Sequence, residues 1–214
     1  MIYPTNRTRF ERPMNTFVLP GTPAPFAWHV QPETWRTEAD GSLVVLSGAK
    51  NDYFHDPGTG ERTASAPCAL METQEPSFIL SAYASLVGTE TFDAAVLYVK
   101  ASDDVWAKLC LENSPAHAPM IVSVVTRGVS DDCNSVTLAN PSVFLRVSKT
   151  PNTLAFHYSL DAKYWHLVRY FSLGLLPAIQ IGFVAQSPLG QGCEVKFSHV
   201  AYRCGKLSNF RSGE

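Results

Sequence analysis

The sequence predicts an all-β fold, an antiparallel sandwich or barrel, on three observations. Short runs rich in β-branched and aromatic residues recur along most of the chain. Clusters of Pro, Gly, Asn, Asp and Ser separate them at nearly even intervals. No stretch carries the apolar stripe of a helix, so crossover βαβ units have nothing to build their crossovers from.

The elements follow in order. "FAWHV" (26–30) and "SLVVLSG" (42–48) flank "EADG", whose Asp and Gly favour a tight turn. The polar segment "HDPGTGERTASAPC" (55–68) predicts a long loop. "SFILSAYASL" (77–86), "FDAAVLYVKA" (92–101), "VWAKLCLEN" (105–113) and "MIVSVVTRG" (120–128) read as strands. "VVTRGVSDDCNSVTL" (124–138) breaks at Arg127-Gly128 into polar residues. It predicts a long hairpin tip held by bonds from Asp and Asn side chains to the backbone. "SVFLRVSKT" (142–150), "LAFHYSLD" (154–161), "YWHLVRYFSL" (164–173), "AIQIGFVAQS" (178–187) and "CEVKFSHVAYR" (193–203) complete the strands, with "LDAKYW" as a turn around Asp161. No linker divides the chain. The expectation is one domain over 1–214, with a core at about 16–205 and arms at 1–15 and 206–214.

Side chains alternate faces along a strand, which sorts each run into two sets. Leu97, Leu109, Leu111, Val122, Val124, Phe156, Ile181 and Phe183 fall on apolar faces and are predicted to be core. Opposite them stand Tyr98, Lys108, Glu112, Ser123, Arg127, His157 and Gln186. If these strands share a sheet, apolar walls and a few polar groups converge on one outer surface, the composition of a binding groove.

Composition excludes several classes. At 45% hydrophobic, 17% charged and a net charge of −2, the chain has no charge excess directed at nucleic acid or an anionic membrane. The first residues lack the apolar core of a signal peptide, and no apolar run is long enough to span a bilayer as a helix. Five widely spaced cysteines without a CxxC pair fit free thiols in a reducing compartment; the expectation is cytoplasmic.

Several phrases occur together in one order: "GSLVVLSGAKNDYFHDP" (41–57), "DAAVLYVKASDDVWAKLCLE" (93–112), "VVTRGVSDDCNS" (124–135), "FHYSLDAKYWHLVRYF" (156–171) and "IGFVAQSPLGQGCEVKF" (181–197). They resemble a family of fungal and bacterial proteins grouped as a domain of unknown function, whose yeast member is named for the regulation of enolase. The resemblance implies a concanavalin A-like jelly-roll β-sandwich. It carries no catalytic residues over, because that fold serves lectins, hydrolases, lyases and inert modules alike.

Candidate chemistry therefore rests on the residues. Glu112 is the foremost carboxylate, with Lys108 on its face as an ion-pair partner or a second acid–base group. His157 is a base if it faces a groove. Tyr98, Ser123, Arg127 and Gln186 would line the ligand site, with Asp52 and His55 on its rim. The paired glutamates flanking an acidic residue on one strand, typical of concanavalin A-like glucanases, are absent, since "KLCLEN" supplies one carboxylate. Adjacent Asp131 and Asp132 do not match an alternating calcium loop. There is no phosphate loop, GxSxG, HExxH or paired-Cys signature, so no metal or cofactor is expected. Three readings follow. The first is a ligand-binding or regulatory protein for a small polar or carbohydrate-like molecule, or for a metabolic enzyme, with no nucleic-acid or membrane partner. The second is an acid–base lyase, isomerase or cyclase. The third is a structural module.

Overall fold

Seventeen strands and no helix make up the regular structure of the described residues, 16–174 and 179–214, in a computed structural model of the chain. They are β1 (Thr16–Phe17), β2 (Phe26–Val30), β3 (Thr34–Thr37), β4 (Leu43–Leu46), β5 (Tyr53–His55) and β6 (Arg62–Ala64). Then come β7 (Cys68–Thr73), β8 (Phe78–Val87), β9 (Ala94–Lys100), β10 (Val105–Asn113), β11 (Pro119–Arg127) and β12 (Val129–Thr137). The last are β13 (Ser142–Lys149), β14 (Leu154–Ser159), β15 (His166–Phe171), β16 (Ile179–Gln186) and β17 (Glu194–Cys204). The arm expected at 1–15 lies outside the described residues. Among the described residues no helix is long and apolar enough to cross a membrane.

An eight-stranded sheet runs β1-β2-β7-β16-β9-β10-β11-β12, and a seven-stranded sheet runs β15-β14-β13-β8-β17-β4-β3. Pairing is antiparallel in both. They pack face to face as the predicted β-sandwich. Between them lie Leu97, Leu109, Leu111, Phe156, Ile181 and Phe183, all at most 1% exposed. Arg169 on β15 donates to Asp131 on β12 at 2.9 Å, tying one edge of each sheet together.

Three expectations are corrected. Val122 and Val124 are buried, but not between the sheets: Leu109 pairs with Ser123 and Leu111 with Ile121, so Val122 and Val124 share the outer face with Cys110 and Lys108. Segment 129–137 is not a hairpin tip but the edge strand β12, reached through a one-residue turn at Gly128 (φ 77°). The 55–68 segment is not a plain loop either. Asp56 Oδ1 accepts from the Gly58 and Thr59 amides, and Gly60 (φ 76°) turns the chain back, so β5 and β6 form a hairpin.

That hairpin covers the outer face of the eight-stranded sheet and buries a second apolar cluster. Tyr53 packs on Tyr98 at 5.1 Å between ring centroids, and His55 stands edge-on to Trp106 at 5.5 Å. Ser130 Oγ accepts from the His55 amide, and Arg62 donates to Asp104, which fastens the hairpin to one end of β10–β12, where β10 begins and β11 turns into β12. The "EADG" and Asp161 turns form as read: Asp161 Oδ1 accepts from the amides of Lys163 and Tyr164. Residues 206–214 fold back on the seven-stranded sheet, burying Leu207.

Candidate functional site

The hairpin covers only part of the outer face, and beside it a cleft of about 140 Å³ remains open. Its floor comes from β10 and β11. Alternation along β10 turns Leu109 and Leu111 inward and presents Lys108, Cys110 and Glu112 outward; Val122 and Val124 stand opposite Cys110 and Lys108 on β11. Asp132 on β12, paired with Val124, supplies the far side. Phe54 of the hairpin and Phe92, just ahead of β9, form apolar walls; Asp52 and Gln186 complete the lining.

Lys108 is 2% exposed, and three acceptors hold its ammonium: Tyr53 O at 2.7 Å, Gln186 Oε1 at 2.9 Å and Asp52 Oδ1 at 3.2 Å. An ammonium has three hydrogens, so its donor capacity is spent. Gln186 is oriented in turn, because its Nε2 donates to Phe92 O at 3.2 Å and leaves Oε1 for the lysine. Burial opposes the ammonium charge, but the Asp52 carboxylate in particular outweighs it and holds the Lys108 pKa above its ordinary value. Lys108 is thus a fixed counter-charge.

Glu112 has the opposite character. It is 8% exposed, and burial pushes its carboxyl up from 4.5 to about 7. Lys108 pulls the other way, while Asp52 and Asp132 push further up. A carboxyl poised there exchanges a proton near neutral pH. Burial also raises the Cys110 thiol on the same face, which keeps it protonated and not nucleophilic.

Of the residues singled out in the sequence, the structure brings Lys108, Glu112, Gln186 and Asp52 together. The others stand elsewhere. Tyr98 shares the face but is sealed under the hairpin, with its hydroxyl unpartnered and its pKa raised by burial. His55 turns away from the cleft, its Nδ1 3.2 Å from Gly128 O, and its neighbour Phe54 takes the wall position. Ser123, expected on the site face, is fully buried on the face toward the other sheet, opposite Leu109. Arg127 has the same parity and donates to Ser172 O. His157 belongs to the other sheet, on β14, where its Nε2 donates to Phe210 O at 2.7 Å; burial lowers its pKa to about 4. The expected Lys108–Glu112 ion pair is replaced by Lys108–Asp52.

Phe54, Phe92, Val122, Val124 and Asp132 were not anticipated. Asp132 was visible only as half of an acidic pair. The structure splits that pair by strand alternation, Asp131 toward Arg169 and Asp132 toward the cleft, so the two cannot chelate one ion. Among the described residues no three His, Cys, Asp or Glu side chains are grouped to hold a metal.

The comparisons agree with this architecture. The family described as "Protein of unknown function (DUF1349)" matches residues 28–204, and the chain belongs to it. A functionally unknown protein from Saccharomyces cerevisiae has a similar structure, with a TM-score of 0.77 at 24% identity, over 85% of this chain and 97% of that one. The GH43 BlXynB protein from Bacillus licheniformis superposes with a TM-score of 0.65 at 15% identity; the match spans 82% of this chain but only 36% of that one. The alginate lyase from Klebsiella pneumoniae gives 0.54 at 11% identity, over 80% and 84% of the two chains. No curated protein matches.

Proposed function

We propose that this DUF1349 member binds a small, neutral, polyhydroxylated ligand, carbohydrate-like in chemistry, in the cleft over the eight-stranded sheet. The observation that carries the reading is the pairing of apolar walls with hydrogen-bond acceptors. Phe54, Phe92, Val122 and Val124 stand beside the carboxylates of Asp52, Glu112 and Asp132, with the one cation already committed. A sugar places its C–H face on aromatic rings and donates its hydroxyls to carboxylates. An anionic ligand would meet the carboxylates of Asp52 and Asp132, a Glu112 carboxyl that ionises near pH 7, and no free donor cation, which disfavours it. The cleft has room for one small ring with its remainder in solvent.

The alginate lyase of similar fold acts on a carbohydrate by its name; alginate is a polyuronate, so this likeness supports a carbohydrate ligand through fold alone, and the preference for a neutral one rests on the lining of the cleft. One shared core between the two sheets supports treating 1–214 as one domain. The five unpaired cysteines suit the reducing, cytoplasmic setting in which a metabolic enzyme would be the regulated partner. A second reading, acid–base catalysis on the same ligand, is favoured by one observation: the Glu112 carboxyl pushed up to about 7.

Titration of ¹⁵N-labelled protein with neutral monosaccharides and with uronic acids tests both. Saturable amide shifts at Phe54, Phe92 and Asp132 are expected with a neutral sugar and not with a uronate. Absence of such shifts across a panel of neutral polyols refutes the binding reading. Turnover of a bound ligand that falls about 10²–10⁴-fold in Glu112→Gln, with binding retained, would select the enzyme reading.

A further inference from the structure

The outer face of the seven-stranded sheet carries a second group of chemistry that the cleft does not use. Leu145 and Val147 point into the core, so Arg146 and Ser148 on the same strand point outward. In register, Arg146 stands opposite Ser81 on β8, and Ser81 stands opposite Ala201 on β17. The short side chains of Ser81 and Ala201 leave a depression of about 220 Å³ beneath Arg146, Trp165 and Arg203. Its walls hold two guanidinium groups and no carboxylate.

Arg146 is 5% exposed, yet it is incompletely satisfied. The Trp165 ring lies against its guanidinium at 4.0 Å, and Nη2 donates to Gly213 O at 2.8 Å. Its Nε is buried with no acceptor. Among the described residues neither Arg146 nor Arg203 takes part in an ion pair. Burial first, and then the charge of Arg203, lower the Arg146 pKa to about 10. A buried cation with an unspent donor, facing a second cation, is an arrangement that an anion relieves.

We infer that this depression is a binding site for a small oxyanion, a carboxylate or phosphate group held between Arg146 and Arg203 over Ser81. Guanidinium groups present N–H donors in a planar fork that matches such anions. Stacking on Trp165 and the bond to Gly213 O fix Arg146 before any ligand arrives, so little side-chain entropy remains to be lost. The site is on the other sheet from the cleft and prefers the opposite ligand charge.

The test follows the Arg146 Nε–H resonance in the full chain during titration with sodium phosphate, sodium acetate and, at matched ionic strength, sodium chloride. The expected result is a saturable shift with phosphate or acetate and none with chloride; the anion that saturates first identifies the source of the oxyanion. Arg203→Gln changes an exposed side chain and should weaken the binding about tenfold or more. Glu112→Gln, in the cleft, should leave the titration unchanged. A shift that never saturates, that chloride reproduces, or that Arg203→Gln leaves untouched overturns the assignment.

Discussion

Replacing Glu112 by Gln should stabilise the protein above neutral pH and do almost nothing in mild acid. The carboxyl is 8% exposed, and burial, against the pull of Lys108 and with the push of Asp52 and Asp132, raises it from 4.5 to about 7. Between those two values the native state keeps a proton that the unfolded chain has already released. Stability therefore falls as pH rises through that window and levels off above it. Each pH unit of separation corresponds to about 1.4 kcal/mol, so the ionised group costs the native state about 3 kcal/mol by pH 8. Glutamine keeps the shape and cannot ionise, which removes that cost. Urea unfolding of both proteins at pH 5, 6, 7 and 8, followed by tryptophan fluorescence, measures the difference. The advantage of the variant should be under about 1 kcal/mol at pH 5 and climb to about 3 kcal/mol at pH 8. A difference flat with pH, or a variant less stable than the parent at pH 8, would show that Glu112 is held as a favourable ion-pair partner and would refute the reasoning.

Lys108→Met leaves Asp52, Tyr53 O and Gln186 Oε1 without their donor, and should lower stability at pH 7 by about 3–5 kcal/mol. A loss under about 1 kcal/mol in urea unfolding would mean that water substitutes for the ammonium. With a thiol reagent at neutral pH, Cys133 and Cys204 should react in the native protein, because both are exposed. Cys68, Cys110 and Cys193, whose thiols burial pushes up, should react only after unfolding. Three or more fast thiols would contradict the packing.

The sandwich was legible because most strands bury one face and pair through turns with strong local chemistry. Parity in β9, β10, β14 and β16 was readable, and it placed Lys108, Glu112 and Gln186 on one face. It failed in β11 for a physical reason. Both faces of "MIVSVVT" are buried, one by the other sheet and one by the hairpin, so alternation carries no information there and Ser123 was assigned outward by its hydroxyl alone. Strand β12 has almost no buried side chains, and its existence depends on pairing with β11, which composition does not encode. The hairpin escaped notice because its strands are three residues each, and with it went Phe54 and the boundary of the cleft. His157 was a strand histidine of the right parity on the wrong sheet, a distinction that depends on topology.

The order of strands in the two sheets has a consequence for how the chain is made. In the eight-stranded sheet β16 sits between β7 and β9, and in the seven-stranded sheet β17 sits between β8 and β4. Each sheet is thus two half-sheets joined by a strand synthesised after residue 178, and neither half can bury its inner edge before then. At roughly 5–20 residues per second, β7 and β8 wait on the order of ten seconds for those partners during translation. Through that interval four edges, on β7, β9, β8 and β4, offer unpaired backbone groups to other chains. A nascent or truncated chain ending before β17 is therefore a client for chaperones and a seed for edge-to-edge aggregation, whereas release of the last strands lets both sheets close in one cooperative step.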